Sequence, residues 1–208
     1  MSRRAPSQIP LQFTRRGGAR PGAGRPRKKD AGISHLARPR FDKRAPVHAT
    51  LRVRKTIASL RSKDCFGAIE RTLLVARDRL GLRVVHFAVL GNHLHLIVEA
   101  DDSAALSRGM QGLTIRLAKA LNVTLRRHGA VFADHFHARR LATPTEVANA
   151  IRYVRENAAH HFPELLHSVD PFSSDARPDL AAKPRCWLLT VGWIRAKSPR
   201  RTEARPAG

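Results

Sequence analysis

Two strand-like runs separated by a two-residue turn constrain this chain more than any other feature. Arg83-Val84-Val85-His86-Phe87-Ala88-Val89-Leu90 and His93-Leu94-His95-Leu96-Ile97-Val98-Glu99 flank Gly91-Asn92. A dipeptide of that kind between apolar, β-branched segments predicts a tight antiparallel hairpin. With that turn, Leu90 stands opposite His93 and Ala88 opposite His95. Side chains alternate along a strand, so His93, His95 and Ile97 share one face, which His86 joins from the facing strand. Leu94, Leu96 and Val98 share the other.

The flanking sequence supplies helices and further strands. Val47 to Val53 alternates like a strand. Phe66, Ile69, Leu73, Ala76 and Leu80 recur at helical spacing, with Gly81 placed as a C′ glycine. Asp101, Asp102 and Ser103 are N-cap candidates for a helix from Ala104 to about Leu125, with Leu106, Met110, Leu113, Leu117 and Leu121 on one stripe. A short strand is expected from Ala130 to about Phe136. Thr143-Pro144-Thr145-Glu146 then combines a capping box with proline at the first helical position. The helix it starts runs to about Ala159, turns Val147, Ile151, Val154 and Ala158 inward, and presents Tyr153 and Asn157 four residues apart on one side. These elements predict an α+β fold, an antiparallel sheet covered by helices.

Charge narrows the partner. The 208 residues include 39 Lys and Arg against 16 Asp and Glu, a formal charge of +23. Arginine-rich positive charge favours the phosphates of nucleic acid over a membrane surface. No long apolar run or apolar leader appears, so a cytoplasmic protein with no membrane partner is expected, and its charge would make it nucleoid-associated. Cys65 and Cys186 have no metal-like or disulfide-framework spacing. Residues 1–44 form a basic Arg/Gly/Pro arm without periodicity, expected to be disordered. Within it, residues 17–29 hold a Gly-Arg-Pro core resembling an AT-hook minor-groove clamp, with Arg25 and Arg27 as the candidate groove contacts. A solvated charge run is the simpler reading of so short a match. Gly17 and Gly22 have P-loop spacing, but Ala23 stands where lysine is needed, so no nucleotide cradle follows.

His93 and His95 on one strand face make a sound pair of ligands for a divalent cation, but two imidazoles are an incomplete site. Hydrogen-bonded sheet histidines are the competing reading. Three features favour the ligand reading: the apolar strand that would make unpaired imidazoles costly, a single tyrosine, Tyr153, in a well-capped helix, and Asn157 one turn later.

Gly91-Asn92-His93-Leu94-His95-Leu96-Ile97-Val98-Glu99 resembles the His-hydrophobic-His strand of single-tyrosine HUH transposases, and closely that of the bacterial REP-associated tyrosine transposases. Val131-Phe132-Ala133-Asp134-His135-Phe136-His137-Ala138 resembles the strand before that family's tyrosine helix. Arg152-Tyr153-Val154-Arg155-Glu156-Asn157 resembles its Tyr-x-x-x-Asn helix, and Asp170-Pro171-Phe172-Ser173-Ser174 its downstream Ser-Ser element. The match spans roughly residues 46 to 175 in order. It departs at Leu90-Gly91, where the family usually has Met-Pro, and at Asn157-Ala158, where Asn-Pro is frequent. The resemblance implies a ferredoxin-like HUH endonuclease fold over residues 45–175, between the arm at 1–44 and a C-terminal extension with a basic tail at 176–208. It implies cleavage of hairpin-bearing single-stranded DNA by Tyr153 through a covalent 5′-phosphotyrosine. Mg2+ or Mn2+ would be held by His93, His95 and Asn157, in a monomer or a homodimer exchanging tyrosine helices.

Arg108, Arg116, Arg139, Arg140, Arg152 and Arg155 are the candidate grips on the DNA backbone, although a solvated basic face explains them nearly as well. His135 and His137 form a second His-x-His, for which a structural or DNA-contacting role is preferred. Trp187 and Trp193 are expected in the core. A non-cleaving, domesticated repeat-DNA-binding protein is the alternative to a transposase. A replication initiator or relaxase is disfavoured by the short length.

Overall fold

The structure, a computed structural model, describes residues 45–197. The expected arm over 1–44, with Arg25 and Arg27, and the tail from 198 lie outside the described residues. The hairpin is present as β3 (Leu82–Val89) and β4 (His93–Ala100), preceded by β1 (Val47–Arg52), α1 (Lys63–Ala76) and β2 (Asp78–Arg79). After it come α2 (Ser103–Thr124), β5 (His137–Arg140), α3 (Pro144–His161) and α4 (Trp193–Lys197). The sheet is antiparallel in the order β2-β3-β4-β1-β5. Setting the two-residue β2 aside, the chain runs β-α-β-β-α-β with β1 and β4 central, which is the ferredoxin-like arrangement. The expected α+β class is therefore the observed one.

Hairpin register agrees with the turn arithmetic. Ala88 pairs with His95 and Val89 with Leu94, and the Leu90 N–H donates to the His93 carbonyl at 2.9 Å. The turn is also held from outside: Gly91 and Asn92 carbonyls accept from Leu60 and Val53 N–H groups at 2.8 and 2.9 Å. A bulge between Val84 and His86 lets Val85 and His86 face the same side.

The sheet buries both faces. Phe87, Leu94, Leu96 and Val98 pack with Ile69 and Leu73 of α1 and Leu113 and Leu117 of α2. On the opposite face, Val85, Ala88 and Ile97 meet Val147, Ile151 and Val154 of α3, with Leu189. Thr143 caps α3 through the Glu146 N–H, and the reciprocal Glu146 contact completes the capping box. Among the described residues no helix is long and apolar enough to cross a membrane.

Three sequence expectations are corrected. Gly81 does not end α1, which stops at Ala76. Leu80 and Gly81, with φ of 56° and 74°, are instead the central pair of a tight turn joining β2 to β3, the left-handed pair that a type I′ hairpin turn requires. The strand expected over Ala130–Phe136 is only a bridge from Phe132 to Val53. There the Asp134 carboxylate takes the His135 N–H at 2.7 Å, a donor that a ladder would need, and regular pairing starts at His137. Trp193 packs on the α3 core and donates to the Leu189 carbonyl, whereas Trp187 is 52% exposed, its ring laid over Gly192.

Candidate active site

The face of the sheet under α3 carries a set of imidazoles that pairing brings side by side. Thr50 pairs with His95 and, on its other side, with His137, while His48 pairs with Ile97 and Arg139. The His95 ring stands 4.7 Å from His93 and 5.2 Å from His48, centroid to centroid. His48 and Thr50 both reach His95 Nδ1, at 3.1 and 3.2 Å. With Nδ1 so engaged, the ring is fixed and Nε2 is left aimed elsewhere. That Nε2 is buried and has no hydrogen-bond partner. His93 is held differently, its Nδ1 against Asn92 Oδ1 at 2.6 Å.

Helix α3 delivers the remaining groups. Tyr153, Asn157 and His161 recur every four residues and so form one stripe. Its two ends touch the imidazoles. Tyr153 stacks edge-on against His95 at 5.1 Å and lies 5.7 Å from His48, and the His161 ring is 6.3 Å from His93. Asn157, between them, is 5% exposed, and its Nδ2 has no partner. Tyr153 itself is 46% exposed, so a large substrate can reach it.

Burial sets the protonation state. Desolvation, reinforced by His93, His48 and His161, pushes His95 down to about 3. Desolvation with His137 and Arg139 pushes His48 to about 4, and His93 is lowered by desolvation, His161 and Arg52. Neutral imidazoles are the form that binds metal. The donor set fits a divalent cation: a buried, unpartnered imidazole nitrogen and a buried amide whose oxygen and nitrogen ends exchange by a half-turn. Among the described residues no group of three or more His, Cys, Asp or Glu side chains is arranged to hold a metal ion.

The structure brings His93, His95, Asn157 and Tyr153 together within one chain, and Arg139 adjoins them, lining the same cavity as His48 and Tyr153. Arg152 is on the exposed side of α3, bound to Asn149 Oδ1, and Arg155 pairs with Asp175 at 3.0 Å. Arg140 pairs with Val47 and therefore points to the other sheet face from Arg139. Arg108 and Arg116 belong to α2, which covers that other face, and are not brought to the site. His135 and His137 part company: His137 joins the imidazole face opposite Thr50, while His135 lines a separate cavity beside α2.

Sequence reasoning missed His48 and Thr50, although alternation in β1 already put them on one face. It also missed Arg61, whose guanidinium binds Asp170 twice, at 2.8 and 2.9 Å, and the Val89 carbonyl at 2.9 Å. Arg61 lies between the Phe162 and Phe172 rings, at 4.3 and 4.1 Å. It thus ties the end of β3 to the end of α3. The Ser-Ser element has a structural place as well: Phe172 and Ser174 exchange backbone hydrogen bonds with Val89 and Phe87 along the edge of β3.

No family model and no curated protein matches the chain. Solved structures do. A REP-associated tyrosine transposase bound to a REP hairpin aligns with a TM-score of 0.55 at 14% identity, over 73% of this chain and 93% of that one. A protein from Deinococcus radiodurans assigned as a transposase aligns with a TM-score of 0.41 at 11% identity, over 66% of this chain and 99% of that one. A bacterial tRNA(His) guanylyltransferase-like protein in complex with GTP gives 0.45 at 13% identity, over 62% and 69%. The first likeness shows a shared fold.

Proposed function

We propose that this chain is a transposase: a metal-dependent endonuclease and strand transferase for single-stranded DNA bearing a hairpin. The observation that carries this reading is the seating of the Tyr153 ring against His95, in one chain, beside a buried imidazole nitrogen and a buried amide that lack partners. The shared fold of a transposase captured on a REP hairpin supports a hairpin DNA as partner.

His93, His95 and Asn157 would hold Mg2+ or Mn2+, which when bound supplies Lewis-acid polarisation of the scissile phosphate. Tyr153 attacks phosphorus through its phenolic oxygen and gives up its proton to solvent water, from which the departing 3′ oxygen takes one up. The bond from phosphorus to the 3′ oxygen breaks, and that oxygen leaves as a hydroxyl. A 5′-phosphotyrosine conserves the ester for rejoining, so no ATP is needed. The ring contact within one chain favours attack in the same subunit. Arg139, at the rim, carries the charge to hold the adjoining backbone.

The test is incubation of the full chain with labelled, hairpin-bearing single strands and Mn2+. A covalent protein–DNA adduct is expected, and Tyr153→Phe removes it. Binding without adduct in the unsubstituted protein would leave only a non-cleaving repeat-binding protein.

A further inference from the structure

Beside the nucleophile is a cavity of about 350 Å³ lined by His48, Arg139, Leu141, Glu146, Asn149, Ala150 and Tyr153. Neither His93 nor His95 lines it. His48 and Tyr153, which line it, are also the rings that touch His95, so the cavity adjoins the ion cradle. Resting on the proposed DNA cleavage, we infer that this cavity is a base pocket: it receives the base of one nucleotide flanking the scissile phosphate and makes the cut selective at that position.

Its chemistry fits a nucleobase. The aromatic rings of His48 and Tyr153 and the side chains of Leu141 and Ala150 give apolar walls, and Arg139, Glu146 and Asn149 add a few polar groups, the composition of sites for small planar ligands. Its volume is in the range such ligands occupy, roughly 300–1,000 Å³. Asn149 lines the cavity and is exposed. Its Oδ1 accepts from Arg152 at 3.0 Å, which orients the amide and leaves its N–H groups to read acceptor atoms on a base edge. Arg139 is 67% exposed in its side chain and holds Glu146 loosely at 3.6 Å, so its guanidinium can turn to a neighbouring phosphate. Glu146 is committed to the Ala142 and Thr143 N–H groups. The His48 and His95 rings are 5.2 Å apart, which leaves the phosphate of a nucleotide whose base enters the cavity within reach of the cradle. The pocket and the nucleophile then set the position of the cut together.

The experiment offers the full chain, with Mn2+, a hairpin-bearing single strand whose flanks are randomised, and sequences the cut junctions. The unsubstituted protein should show a base bias at one flanking nucleotide. Asn149→Ala should flatten that bias by about 10-fold while leaving Mn2+ affinity unchanged, since Asn149 does not touch the cradle. A cut with no bias at either flanking nucleotide, or a bias that survives Asn149→Ala, overturns the pocket and leaves the cleavage reading intact. Absence of any cut overturns the cleavage reading instead. The pocket is then decided by NMR titration with the four deoxynucleoside 5′-monophosphates. Shifts confined to residues 149–150 and lost in Asn149→Ala support it, and their absence refutes it.

Discussion

His48 matters through another residue. Its ring nitrogen and the Thr50 hydroxyl meet at His95 Nδ1, which fixes the orientation of an imidazole whose other nitrogen is buried without a partner. Groups that orient a metal-binding histidine in this way typically carry about 10–100-fold in metal affinity. Removing His48 leaves Thr50 as a second, weaker anchor, so the loss belongs at the lower end of that range. His48→Ala is expected to weaken Mn2+ binding about 10-fold, read by calorimetry or by the free-ion EPR signal, with an unchanged circular dichroism spectrum. Equal affinity in both proteins would show that His95 does not depend on this contact. The His-x-His pair itself was plain in the sequence, because alternation places residues two apart on one face whatever the rest of the fold does. His48 was not, because its role depends on which strand lies beside β4, and sequence patterns within β1 carry no information on its neighbours.

The elements differ in how much of them was local. Helix α3 has a cap, a box and a proline that act within its own first turn, so its start was legible to the residue. Its end extends one turn past Asn157 to His161 because Ala158, unlike a proline, keeps its N–H for the helix. The hairpin was legible for the same reason of locality. The misreadings fall where a distant partner decides: Gly81 needed β3 to be seen as a hairpin turn, and His137–Arg140 needed β1. Helix α2 shows a constraint that periodicity cannot reveal. Gly109 lies against Leu82 so closely that a Cβ there would overlap the Leu82 Cβ, an atom that no rotamer change can move. Gly109→Ala would gain roughly 1 kcal/mol of helix propensity but incur an overpacking cost of about 1–3 kcal/mol. Because strand β3 is hydrogen-bonded across most of its length, the overlap should prevail, and urea unfolding should show a net loss of stability. A more stable Gly109→Ala protein would mean that α2 slides on the sheet freely.

At the scale of the whole molecule, the sheet divides its labour by face. One face is packed with aliphatic and aromatic side chains under α1 and α2, and the other divides its area between a smaller core and the imidazoles. With a formal charge of +23, binding to single-stranded DNA should fall with a slope of about −0.7 in log K against log salt per phosphate neutralised. A salt-independent affinity would exclude backbone contacts as the main attraction. The imidazole face also makes stability depend on pH in a definite direction. Burial holds His48 and His86 at about 4 in the folded chain, against the ordinary 6.5. Below 6.5 the unfolded chain takes up protons that the folded chain refuses, so these groups contribute stability that is complete above that value and is lost as the pH falls toward 4. Each can contribute a slope of up to about 1.4 kcal/mol per pH unit. Above roughly pH 7.5 neither contributes any slope. His86 pairs with Ile97, next to the α3 core, and makes a clean probe. In metal-free protein, His86→Leu should reduce the proton uptake on unfolding between pH 4.5 and 6 by about one, measured from the pH dependence of urea midpoints. An unaltered slope in that variant would mean that water reaches the ring in the folded state and that this face is wetter than its packing implies.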